Sequence, residues 1–191
     1  MKLHFAGEFN GDENTLPQRE HHQNAVPFKE PENMRKSAII TNMGGILTMI
    51  ILAIPFILIG KKYFAGNGFW IWLGLSGSFF TLFLHELLHA ICFKNDVYFY
   101  TYLSKGIAFV IGTEDMSKAR FIIICLCPNI ILGLIPYVLF FVFPNIVFLG
   151  AFGLSCIGAG FGDYLNIYNA IKQMPKGAKT YLNGMHSYWY I

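Results

Sequence analysis

Four runs of 23–26 largely apolar residues, at 38–60, 69–93, 121–143 and 145–170, decide what this chain can become. About 20 apolar residues wound as a helix cross a ~30 Å hydrocarbon core, and each run meets that length. Helix is the form such a run must take there, because a bilayer offers no water to an unpaired backbone group. Pro55, Pro128 and Pro136 kink such helices without excluding them, since neighbouring helices satisfy the freed carbonyls. Composition agrees: 54% of the 191 residues are hydrophobic and only 13% are charged, against about 25% charged in soluble domains. A chain so poor in polar side chains cannot cover a globule of its size. The fold expected is an all-α membrane protein of four transmembrane helices, the last two joined by a tight link at "FPNI".

The other segments flank this domain. Residues 1–37 form a polar N-terminal arm, 38–170 the membrane-embedded domain, and 171–191 a polar tail. No basic stretch followed by a short apolar run opens the sequence, so a cleaved signal peptide is not expected. His21 and His22 in the arm are read as solvated side chains. Lysine and arginine set the orientation: five lie in the arm, four in 94–120 and three in the tail. Between the first two runs there are only Lys61 and Lys62, and between the last two there are none. The positive-inside rule therefore places both termini and the 94–120 loop in the cytoplasm of a multi-pass protein of the cell membrane.

That loop contains "VYFYTYLSKGIAFVIG", residues 97–112, in which aromatic and β-branched residues flank a Ser104-Lys105-Gly106 turn. The pattern predicts a β-hairpin lying on the membrane surface. It serves either as an interfacial anchor or as a strand edge for an extended peptide. No basic run interleaved with aromatics points to nucleic acid, and no pattern sets an oligomeric state. Cys92, Cys125, Cys127 and Cys156 all lie within apolar runs or at their ends; they read as small core hydrophobes and imply no disulfide framework.

Within the four runs the ionisable residues are His85, Glu86, His89 and Asp163. A charge at membrane depth costs about 2.5–3.5 kcal/mol on insertion scales, and such residues are functional by default. Three of them form H-E-x-x-H in "TLFLHELLHA", residues 81–90. On a helix, positions i and i+4 lie about 40° apart and one turn up, so the Nε2 atoms of His85 and His89 can converge on one ion. Glu86 sits about 100° to the side, placed to take a proton from water without ligating. Catalytic zinc uses three protein ligands and leaves one position open, so a third ligand is required.

Asp163 is the candidate. With the second and fourth runs both pointing inwards, His85, His89 and Asp163 all lie within roughly 6–12 Å of the cytoplasmic boundary. Gly158 and Gly162, four residues apart, are expected to let the fourth helix approach the second closely. Asn129, after Pro128, lies at comparable depth; its amide either orients substrate or makes a helix contact. Asn166 and Asn169 are expected to bond between helices or at the boundary.

At these residues the chain resembles the membrane-embedded zinc metalloproteases of the site-2 protease class. More closely, it resembles a family of small bacterial four-span proteins described as zincin peptidases (domain of unknown function 3267, DUF3267). The resemblance runs through "LHFAGEFNGDENTLP", "HELLHA", the hairpin, "CPN", "GFGDYLNIYNAI" and "MPKGAKTYL". It implies zinc held by His85 and His89, with Glu86 as catalytic acid and base. Site-2 proteases carry their third ligand in an Asn-Pro…Leu-Asp-Gly type of motif, whereas here "YLN" follows the aspartate. Asp163 is thus assigned by position and chemistry.

The function expected is a zinc-dependent intramembrane endopeptidase with one Zn²⁺ per chain, Glu86 as general base, and a membrane protein or peptide as substrate. The alternative is a non-catalytic membrane protein that holds zinc structurally or as a sensor. A closed structural site would need a fourth ligand at the same depth. A di-iron hydroxylase would need roughly eight ligands in several histidine boxes, and this chain has six histidines in all.

Overall fold

The computed structural model of the chain describes residues 1–31 and 33–191. The first apolar run is one helix, α1 (Met34–Gly60). Its N-cap is Asn33, whose side chain accepts the Lys36 N–H at 2.9 Å and satisfies a donor that the helix leaves unpaired. Ile46, Leu47, Ile50, Ile51 and Ile54 are each 56–59% exposed. Aliphatic side chains gain about 1.5–3 kcal/mol on leaving water, so a face like this one favours an apolar surrounding.

The other three runs are interrupted. The second divides into α2 (Gly68–Phe80) and α3 (Leu82–Ile91). Between them, Thr81 turns its N–H to the carbonyls of Gly77 and Ser78 and its hydroxyl to that of Ser78. The third is α4 (Lys118–Pro128), a π-turn over Asn129–Leu134, and α5 (Ile135–Val142). Pro128 and Pro136 each lack the N–H that an α-helix returns four residues back, and the wider turn between them accommodates both losses. The fourth divides at Gly160 into α6 (Val147–Ala159) and α7 (Phe161–Gln173).

The expectation of an all-α protein with four clear spans is therefore corrected. Two helical stretches, Arg35–Tyr63 and Lys118–Val142, are long and apolar enough to cross a membrane, or up to four if each bent pair counts as one span. Two β-sheets accompany them. Strands β1 (Lys2–Glu8), β3 (Asp96–Tyr102) and β4 (Ile107–Ile111) form one sheet in the order β1-β3-β4. The hairpin read at 97–112 is β3 with β4, turned at Gly106 with φ +65°. To it the arm adds β1 in parallel, with Lys2 opposite Asp96. The second sheet, in the order β2-β7-β6-β5, joins β2 (Val26–Pro27), β5 (Met116–Ser117), β6 (Lys179–Asn183) and β7 (His186–Tyr190). The strands of the arm and tail are two to seven residues long and pair with distant segments, so they leave little local signal. One signal was present: Gly184, with φ +59°, opens the two-residue turn Gly184-Met185 between Asn183 and His186.

The chain folds as two compact units. The first comprises Met1–Glu30, Leu82–Cys127 and Asn166–Ile191. Its core joins Ala90 and Phe93 at the end of α3 to Val97, to Phe121, Ile124 and Cys125 of α4, and to Ala170 and Met174 of α7. Phe83 of α3 stacks on Phe99 of β3 with centroids 5.7 Å apart. His21 is exposed, as expected of a solvated side chain, whereas His22 is half-buried, and both make hydrogen bonds. His21 Nδ1 meets the Tyr181 hydroxyl at 2.8 Å, and His22 Nε2 lies 3.0 Å from Asp115 with its ring stacked on Tyr190.

The second unit comprises Pro31–Thr81 and Pro128–Leu165. Helix α6 is its centre and packs on α1, α2, α5 and the π-turn. Small residues permit this. A Cβ on Gly153 would overlap the Tyr137 backbone nitrogen and lie 2.7 Å from the Gly133 carbonyl oxygen. The Gly158 and Gly162 positions, expected to admit the second run, instead meet α1 at Gly45, Met49 and Thr41.

Gly153→Val should therefore cost about 1–3 kcal/mol, as overpacking does, and lower the apparent Tm in detergent. Gly162→Ala, whose Cβ meets only Thr41 Cγ2 at 3.7 Å, should leave it nearly unchanged. Equal melting of the two variants would contradict this packing.

Candidate metal centre

Helix α3 reads Leu-Phe-Leu-His-Glu-Leu-Leu-His-Ala-Ile. Leucine, glutamate and alanine are good helix formers, and the two histidines fall one turn apart on one face. Their ring centroids lie 4.9 Å apart, edge to face. One potential ligand atom from each of His85, Glu86 and His89 lies within 4.8 Å of the others. His89 is buried, while His85 and Glu86 are half-buried. Buried nitrogen next to carboxylate oxygen is the donor set that suits zinc.

A second contact orients the site. His89 Nδ1 lies 2.8 Å from the carbonyl oxygen of Ile124. A carbonyl only accepts, so Nδ1 carries the proton and Nε2 presents its lone pair, the tautomer a metal needs. The local sequence explains why that carbonyl is available. In an α-helix, Ile124 would accept from the N–H of residue 128, which is Pro128 and has none.

Below α3 a further arrangement fixes the chain, one that motif reading did not find. Glu114, buried, accepts the backbone N–H groups of Lys94 and Asn95 and bonds the Arg120 guanidinium. Arg120 also donates to the Cys92 carbonyl at 3.1 Å. The segment leaving α3 is thus tied to the start of α4. Nothing in the spacing of Glu114 and Arg120 announces this; only the burial of a charged pair between two apolar runs could have.

The other two candidate residues meet each other. Asp163 lies in the first turn of α7, where the helix dipole favours negative charge. Asn129 opens the π-turn, is buried, and donates from Nδ2 to Asp163 Oδ2 at 2.7 Å. Residues His85, Glu86 and His89 belong to the first compact unit, Asn129 and Asp163 to the second. Asn169, expected at a helix contact, accepts from Gln173 one turn along its own helix.

A sequence model of the family DUF3267, described as "Putative zincin peptidase", matches residues 78–179. The match takes in α3, the β3–β4 hairpin and all five candidate residues. No curated protein and no solved structure matches the chain.

If His85 and His89 are metal ligands, protein purified in detergent without chelator should carry about one zinc per chain. His85→Ala and His89→Ala should each lose it on desalting. Stoichiometric zinc in the double variant, measured by atomic emission, would remove α3 as the metal site.

Proposed function

The chain belongs to the DUF3267 family, and on that premise we propose that it is a zinc-dependent endopeptidase of the cell membrane, hydrolysing peptide bonds in membrane-associated or transmembrane segments. The observation that carries this is the gathering of His85, Glu86 and His89 on α3, with the His89 tautomer set by Ile124. His85 and His89 offer Nε2 to one ion. Asp163 is the third ligand in this proposal, on the strength of its depth along the fourth apolar run and its charge. When bound, zinc supplies a Lewis acid that polarises the scissile carbonyl and lowers the pKa of a water towards ~7. Glu86 takes a proton from the attacking water at a carboxylate oxygen and hands it to the leaving amine nitrogen. A carbon–oxygen bond forms, the amide carbon–nitrogen bond breaks, and no redox partner is involved.

Substrate must present its scissile carbonyl to α3, which a helix cannot do while that carbonyl is hydrogen-bonded. Support for an extended substrate comes from β4, the terminal strand of its sheet, which packs against α3. A terminal strand carries backbone donors and acceptors that an extended peptide can use.

The proposed orientation has both termini in the cytoplasm, with the chain crossing the membrane an even number of times between them. Lysine and arginine counts favour it. Strand pairing supports it independently, because a sheet cannot be assembled from strands on opposite sides of a bilayer. β1 and β2 from the start of the chain, β3 to β5 from its middle, and β6 and β7 from its end share two sheets. All three regions therefore belong on one side.

Single cysteines placed at Lys105 and Lys176 should react with an impermeant thiol reagent only from the cytoplasmic face, and one at Asn67 only from the other. Labelling of Lys105 and Lys176 positions from opposite faces would break the proposed topology.

Glu86→Gln keeps the size and shape of the side chain but accepts no proton. Zinc content should survive, while cleavage of a membrane reporter falls by about 10²–10⁴. Asp163→Asn replaces a carboxylate by a poor zinc ligand, so metal and cleavage should fall together. Normal cleavage by Glu86→Gln would end the peptidase proposal. Loss of structure in Asp163→Asn, with Glu86→Gln silent, is the outcome a structural zinc site predicts.

A further inference from the structure

The structure assigns Asn129 as the positioning residue of the Asp163 carboxylate, an inference that rests on the proposal above that Asp163 ligates zinc. A carboxylate that ligates through one oxygen gains direction when a donor holds the other, and such outer contacts commonly set metal affinity. Asn129 supplies that donor. Its Nδ2 lies 2.7 Å from Asp163 Oδ2, the short distance of a charge-assisted bond. The carboxylate only accepts, so it fixes which way the amide faces: Nδ2 to Asp163 and Oδ1 away.

Two features of the backbone hold the amide there. Asn129 is 3% exposed and so has little rotamer freedom. It also opens the π-turn directly after Pro128, and local π geometry shifts where side chains emerge from a helix. On the facing element, Gly160 is the residue between α6 and α7, and a Cβ there would overlap Asn129 Oδ1. The glycine is thus a seat for the asparagine amide. The Gly160 carbonyl in turn accepts the Asp163 N–H at 3.0 Å, so the seat and the carboxylate belong to one turn.

Sequence alone allowed Asn129 to face substrate or to make a helix contact. The bond to Asp163 gives it a different task, one that predicts a defect in metal binding before any substrate is present.

The test is zinc affinity of the full-length protein in detergent, measured by competition with a chromophoric chelator, with unfolding of the metal-free forms followed alongside. Asn129→Leu removes the donor at nearly constant volume. Gly160→Ala displaces the amide while leaving both groups intact, and it carries the test if the leucine variant does not fold. Each should weaken zinc by about 10–100-fold, the effect usual for such outer contacts. Asn129→Leu added to Asp163→Asn should weaken zinc no further than Asp163→Asn alone, because the asparagine acts through the aspartate. Wild-type affinity in folded Asn129→Leu or Gly160→Ala, beside a weakened Asp163→Asn, overturns the inference alone. So does a double variant whose loss is the product of the two single losses. Wild-type affinity in Asp163→Asn overturns the ligand assignment itself and this inference with it.

Discussion

The hydrogen bond from His89 Nδ1 to the Ile124 carbonyl is the contact on which the candidate metal centre depends. Its cause is a covalent fact one helical turn further along α4, at Pro128: proline has no N–H. In a helix surrounded by apolar groups, a carbonyl deprived of its donor costs free energy until another is found. Pro128 creates that demand at Ile124, and the imidazole of His89 meets it. The same bond orients the ring, settles its tautomer and draws α3 onto α4, where Ala90, Phe93, Phe121 and Ile124 close a common core. Ligand geometry and helix packing are therefore one event here. Glu114, paired with Arg120, extends the effect past the end of α3 by holding the backbone N–H groups of Lys94 and Asn95.

What could be seen in the sequence was whatever has a local signature. Long apolar runs and H-E-x-x-H at helical spacing are properties of contiguous residues, and α3 brings its histidines together as that spacing requires. Thr81 and Gly160 look like ordinary members of an apolar run, and only their neighbours reveal them as breaks. For Gly160 the neighbour is the Asn129 amide, thirty-one positions away in the chain. Small residues announced close packing but not the partner, so Gly158 was aimed at the wrong helix; Met49 and Gly45 occupy its face. The sheets escaped for a related reason. Pairing Lys2 with Asp96 and Val26 with Trp189 lies beyond any local window, although Gly184 did mark one turn.

The residues proposed to do chemistry cluster near interruptions of helix. His85 and Glu86 follow closely on Thr81, Asn129 follows Pro128, and Asp163 lies in the turn after Gly160. A continuous apolar helix satisfies its own backbone and offers a ligand nothing but side chains. Interruption releases carbonyls and N–H groups and starts a fresh helix with its positive end exposed to an acidic residue. An apolar chain with few polar side chains can build a polar site economically by breaking its helices where it needs one.

Strand order also has a consequence in time. β1 and β2 precede their partners in the sequence, so β1 waits for β3 and β2 waits for β7. At the usual 5–20 residues per second, the interval between Val26 and Trp189 is roughly ten to thirty seconds of synthesis. During it the apolar runs are made while β2 has no partner. The sheet, which brings Met116, Leu182 and Trp189 to the core of the first unit, thus closes only once β7 has been made. A chain stalled before residue 186 would carry the His85–His89 pair without the finished sheet, so synthesis of β7 is itself a checkpoint on maturation.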